Sequence, residues 1–140
     1  MAQVAQSAVS AVATGAYTAL NTSGFTALSA LFKYRVPQNT TATTYSVIQN
    51  FTEQPMDCFG PAFGKDVTFQ VHVVTTAPAS EPYAALSKAV ELLNYAAVTV
   101  GSHEVLAVQY ENVDSFDEDV DGILTRHVVG MFRARVRQAT

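Results

Sequence analysis

The chain has 140 residues, 49% of them hydrophobic and only 14% charged, with a net charge of −4. That length suits one domain with a core of its own. The charged share lies well below the usual quarter, and the acidic balance argues against sequence-driven nucleic-acid binding, which leaves a basic footprint.

Residues 1–32 carry no charged side chain. Gln3, Gln6, Ser7, Ser10 and Thr14 recur at helical spacing, with Val4, Ala8, Val12 and Ala16 on the other face. Alanine, the best helix former, dominates, so the spacing predicts a helix over Ala2–Ala19, roughly residues 1–20. Asn21-Thr22-Ser23-Gly24 should stop it. Phe25, Leu28, Leu31 and Phe32 fit a short helix or a turn on the core, and Tyr34-Arg35-Val36-Pro37 reads as extended before its proline. Thr40–Thr44 reads as loop. Tyr45–Phe51 alternates as a strand should, with Tyr45, Val47, Gln49 and Phe51 on one side.

Residues 52–65 hold Pro55, Gly60, Pro61 and Gly64 and read as a long loop projecting from the sheet. Val67, Phe69, Val71 and Val73 then share one face of a strand, with Thr68, Gln70 and His72 on the other, which implies one buried face. Ser80 is a candidate N-cap for an amphipathic helix to Asn94, with Tyr83, Leu86, Val90 and Leu93 at spacings of three and four. Glu104–Asn112 and Ile123–Val136 are two more strands. The second sets Leu124, Val128, Phe132 and Val136 against Arg133, Arg135 and Arg137. No internal repeat is apparent. The order α-β-β-α-β-β predicts an α+β domain spanning residues 1–140, with a mostly antiparallel four-stranded sheet and two main helices on one face.

The strongest local signal is acidic. Glu111, Asp114, Asp117, Glu118, Asp119 and Asp121 place six carboxylates in the predicted turn 111–122. Asp117 to Gly122 matches the first half of an EF-hand loop, but Val128 stands where the bidentate glutamate belongs, and the flanks read as strands. The acidic run therefore reads either as a solvated turn or as an electrostatic surface facing a partner or lining a ring. Three arginines on one strand face cannot all be buried unpaired. Arg133, Arg135 and Arg137 either face solvent or meet acidic groups on another strand or subunit, and a salt bridge to the acidic turn across a subunit boundary is the favoured expectation.

His72, His103 and His127 read as isolated polar histidines, with no close spacing that would gather metal ligands. A Cys58/His nucleophile would need a tertiary coincidence, and the glycines form no nucleotide-binding loop. No catalytic group, cofactor or metal is expected. Cys58 is the single cysteine, which excludes an internal disulfide. It reads as a small semi-buried hydrophobe. No apolar run approaches the ~18 residues a membrane helix needs. The N-terminus lacks the pattern of a secretory signal, so the sequons at Asn21, Asn39 and Asn50 carry no weight and maturation in a cytoplasm is expected.

One resemblance runs through these elements. It is carried by the N-terminal helix, Tyr34-Arg35-Val36-Pro37, Tyr45–Asn50 and Asp66-Val67-Thr68-Phe69-Gln70-Val71-His72-Val73. Ser80-Glu81-Pro82-Tyr83-Ala84-Ala85 follows, opening a helix that ends Leu92-Leu93-Asn94. The acidic Asn112–Asp121 stretch and His127-Val128-Val129-Gly130-Met131-Phe132-Arg133 complete it. Over about residues 20–138 the chain resembles the tail-completion, or tail terminator, family of long-tailed bacteriophages, in element order more than in residues.

The resemblance implies a ring, usually of six copies, on the head-proximal end of the tail tube. Its partners would be the tube protein and a neck, connector or head-completion protein, with genomic DNA passing the lumen unbound and no membrane involved. It implies a place in the virion tail and assembly in the host cytoplasm. The 52–65 loop and the 111–122 turn are the candidate contacts. Three competing expectations are a head-completion or neck protein of the same joint, a small dimeric enzyme or ligand-binding domain with a pocket near His72 or His127, and a calcium-stabilised module.

Overall fold

The computed structural model describes residues 7–37, 42–55, 64–76, 82–94, 98–100 and 103–138. Helices α1 (Val9–Leu20), α2 (Ser23–Thr26) and α3 (Pro82–Leu93) accompany strands β1 (Ala30–Lys33), β2 (Thr44–Pro55), β3 (Gly64–Thr75), β4 (Val98–Val100), β5 (His103–Val120) and β6 (Ile123–Gln138). The α+β expectation holds, but the sheet has six strands among the described residues, ordered β1-β2-β3-β6-β5-β4. The two additional strands span four and three residues, too short to display a period of two. The sheet is mixed, because β1 runs parallel to β2 while the other pairings are antiparallel.

Helices α1 and α3 pack on the same face of the sheet and touch each other. Val67, Phe69, Val71 and Val73 of β3 and Val128, Phe132, Ala134 and Val136 of β6 are fully buried there, as their alternation predicts. An aromatic ladder crosses this layer: Tyr34, Phe51, Phe69, Phe132 and Tyr110 follow one another at centroid spacings of 5.7, 5.9, 5.6 and 5.6 Å. Each such pair contributes about 0.5–1.5 kcal/mol beyond its burial.

Three register shifts interrupt the described strand pairings, one of them between Val105 and Ala107, and the other two decide which aromatic side chains face the helices. Asn50 has φ 59° where the β2–β3 register shifts between Gln49 and Thr52. The extra residue flips the side-chain parity, so Phe51 stacks on Phe69 instead of sharing a side with Val47 and Gln49. A second shift lies between Tyr110 and Asn112 on β5. Tyr110 packs tilted against Phe132 on the helix side, whereas Asn112 lies opposite Met131 on the other.

Several predicted boundaries move. The first helix begins at Val9, with residues 2–6 outside the described ones. Its start is held from afar, because the Glu53 carboxylate accepts from the Ala8 N–H at 2.7 Å and the Ser7 hydroxyl at 3.0 Å. Tyr34–Pro37 is no extended strand: Tyr34 turns at φ 71°. The 52–65 loop shrinks, because β2 reaches Pro55 and β3 starts at Gly64. The remainder, with Cys58, and the Ser80 cap lie outside the described residues. Leu124, predicted to be core, is exposed, since β6 outruns β3 beyond Arg126.

Candidate functional site

The 111–122 turn is instead a strand. β5 runs to Val120, and only Asp121 and Gly122 turn the chain into β6. Both have positive φ, 54° and 80°, as a type I′ hairpin needs. The carboxylates consequently alternate along β5. Glu118 joins Asn112, Asp114 and Phe116 on the helix-free side, while Asp117 lies opposite Arg126 and Asp119 opposite Leu124.

Much of the predicted electrostatic set is satisfied inside the chain. Asp117 accepts from Arg126 Nε at 3.0 Å. Arg133 lies 3.6 Å from Asp66 and 2.9 Å from Glu111. Its Nε–H is not aimed at Glu111, so that contact is one of charge on charge without a directed hydrogen bond. Pairs this exposed contribute about 0–1 kcal/mol each. Asp114 accepts from the Ser115 N–H at 2.9 Å. Asp119 and Asp121 are exposed and make no ion pair among the described residues, and Arg135 and Arg137 are exposed on β6.

His72 and His127 are not isolated. The expectation fails because β3 and β6 are neighbours, which single-strand spacing cannot reveal. Gln49 Nε2 lies 2.9 Å from His72 Nδ1, His72 Nε2 2.8 Å from His127 Nδ1, and His127 Nε2 2.7 Å from Glu118 Oε1. This polar chain crosses β2, β3, β6 and β5 on the helix-free side. Phe116 covers its middle, stacked on the His127 ring at 4.4 Å and 7° from parallel. Burial above all, then the neighbouring His127, lowers the His72 pKa below the ordinary imidazole value, against an opposing pull from Glu118.

Beside the chain lies a shallow depression of about 400 Å³, lined by Gln49, Asn50, Gln70, His72, Asn112 and Asp114 among others. Asn50 Nδ2 donates to Gln70 Oε1 at 2.8 Å across its floor. The lining is amide-rich, and its ionisable groups are His72 and Asp114. His103, predicted in a turn, instead opens β5, where it is buried with Nε2 unpartnered. Among the described residues, no group of three or more histidine, cysteine or acidic residues is disposed to hold a metal, and no helix is long and apolar enough to cross a membrane.

No known protein family matches the sequence, and no curated protein does. Among solved structures the chain is similar to one described as "Virion of native gene transfer agent (GTA) particle". The TM-score is 0.76 at 22% identity, over 94% of this chain and 99% of that chain. At that identity the likeness establishes a shared fold, from end to end of both chains.

Proposed function

We propose that this chain is a structural virion protein, with no enzymatic role, forming a ring of six copies that caps the head-proximal end of a phage-like tail tube. The observation that carries this reading is the fold shared over nearly the whole of both chains with a component of a gene transfer agent virion. In this role the ring ends tube growth and joins the tail to the neck. Its partners are further copies of itself, the tube protein and the neck or head-completion protein, and DNA passes the lumen without being held. The low charge suits a subunit whose flanks are covered by neighbours, and the net negative charge suits a channel that does not capture phosphate. A head-to-tail contact between copies closes into a ring when its rotation closes.

The acidic hairpin is the proposed contact or lumen element. Asp119 and Asp121 at its tip and Asp114 along β5 remain available to a neighbour, whereas Glu111, Asp117 and Glu118 are engaged within the chain. Arg135 is the exposed cation offered on the other strand of the hairpin, Arg133 being held between Asp66 and Glu111.

Native mass spectrometry over a range of concentrations tests the reading. A hexamer, or a monomer that becomes a hexamer on tail tubes, supports it. Twelve copies would move the protein to the neck. A tight dimer at every concentration would favour a ligand-binding domain built on the depression beside His72.

A further inference from the structure

We propose that His72 and His127 form a one-proton switch: together they accept one proton from solvent and not two, and its uptake turns the Gln49 amide around. The starting state follows from donor and acceptor inventory. The Glu118 carboxylate can only accept, so His127 Nε2 carries its proton. A neutral imidazole has one N–H, so His127 Nδ1 is bare and must receive the proton on His72 Nε2, 2.8 Å away. His72 Nδ1 is then bare in turn, and Gln49 Nε2 supplies it from 2.9 Å. Every proton in the chain points towards Glu118.

Adding one proton reverses part of the chain. His127, beside the carboxylate, becomes the imidazolium and donates through Nδ1 to His72 Nε2. His72 stays neutral and moves its own proton to Nδ1, which now faces Gln49. The amide rotates to offer Oε1, an exchange of near-identical shape. All contacts are again satisfied. A second proton has no such solution, because two N–H groups would oppose one another at 2.8 Å between adjacent cations, whatever Gln49 does.

The remaining ionisable groups on this side do not alter the count. Asp114 lines the depression on β5, Tyr45 lies on the same side of β2, and Arg133 is bound to Asp66 and Glu111 further along β6. Arg126 turns to the opposite side, onto Asp117. The consequence falls on the depression. Before proton uptake Gln49 has its Oε1 free to accept from a bound partner. Afterwards its NH₂ is free to donate, with a positive charge close behind.

Long-range ¹H–¹⁵N correlation spectra of the full chain, recorded from pH 8 to pH 5, read each imidazole nitrogen. Two Nε2–H neutral rings at high pH, and one imidazolium beside one Nδ1–H neutral ring at low pH, are expected. Two imidazolium rings in the folded chain, His72 keeping Nε2–H after uptake, or no uptake before unfolding would each overturn the proposal. Gln49→Leu, with its fold checked by circular dichroism, cannot accept from His72 and should move uptake to lower pH. Gln49→Glu should move it to higher pH with His72 fixed as Nδ1–H. Unchanged titration in both variants would also overturn the switch.

Discussion

Gly130 of β6 lies so close beneath Leu86 of α3 that a Cβ built on it would stand 2.5 Å from Leu86 Cδ1 and 3.2 Å from Phe132 Cε2. The close approach lets α3 settle onto β3 and β6. Both obstructing side chains are buried, so neither can swing clear into solvent. Gly130→Ala should cost about 1–3 kcal/mol through overpacking. Leu86→Ala alone should cost about 2–5 kcal/mol. Urea unfolding of the double variant should show a loss smaller than the sum, since each change relieves the other. An additive result would mean that the helix shifts bodily instead.

Glu53 holds the start of α1 across 45 residues of chain. Its carboxylate takes an N–H that the helix cannot satisfy internally, at the positive end of the helix dipole. The Ser7 hydroxyl adds a longer contact, accepting from the Val9 N–H at 3.3 Å. Glu53→Ala should destabilise the chain by about 1 kcal/mol, and Glu53→Gln by less, because the amide oxygen still accepts. Equal losses in the two would show that the charge, and not the acceptor, matters.

The depressed His72 pKa makes stability depend on pH with a defined sign. The fold favours neutral His72, while the unfolded chain protonates it near the ordinary value of 6.5. That contribution is therefore complete above pH ~6.5 and is lost as pH falls from there towards the folded value. Urea midpoints at pH 7.5 and 5.5 should show a larger drop for the natural chain than for His72→Gln, which cannot titrate. An equal drop would assign the pH dependence to the carboxylates alone.

The elements with long, regular patterns were legible in the sequence: the β3 alternation falls where its period places it, as do Val128, Phe132 and Val136 of β6 and Leu86 and Leu93 of α3, whereas Tyr83 and Leu124, at the starts of those two stripes, are exposed. What stayed hidden is physical in origin. β1 and β4 are too short to carry a period. The bulge at Asn50 inverts the side of Phe51 with no local signal beyond an asparagine, a residue that tolerates positive φ. The acidic run contains turn-forming aspartates, yet its carboxylates alternate along a strand that continues to Val120, and only the Asp-Gly pair makes the turn. Its dipeptide signature was present but was outweighed by the charge around it. The histidine pair could be found only from strand order, because β3 and β6 lie side by side while His72 and His127 are 55 residues apart.

The hairpin tip separates assembly from folding. Asp119 and Asp121 are exposed, and Asp117 has only its partly exposed partner Arg126. Asn tolerates the positive φ that Asp121 adopts, so changing all three to asparagine preserves the turn and removes three charges. Loss of the one ion pair should cost the monomer no more than about 1 kcal/mol. If the tip contacts a neighbouring copy or the tube, hexamer formation or tail joining should weaken by far more than the melting temperature suggests, and the effect should shrink in high salt as the charges are screened. Native mass spectrometry and electron micrographs of tails made with the variant read both. Assembly at the natural concentration, with tails of natural length, would remove the acidic hairpin from the interface and leave the helix-free side of the sheet as the surface to test next.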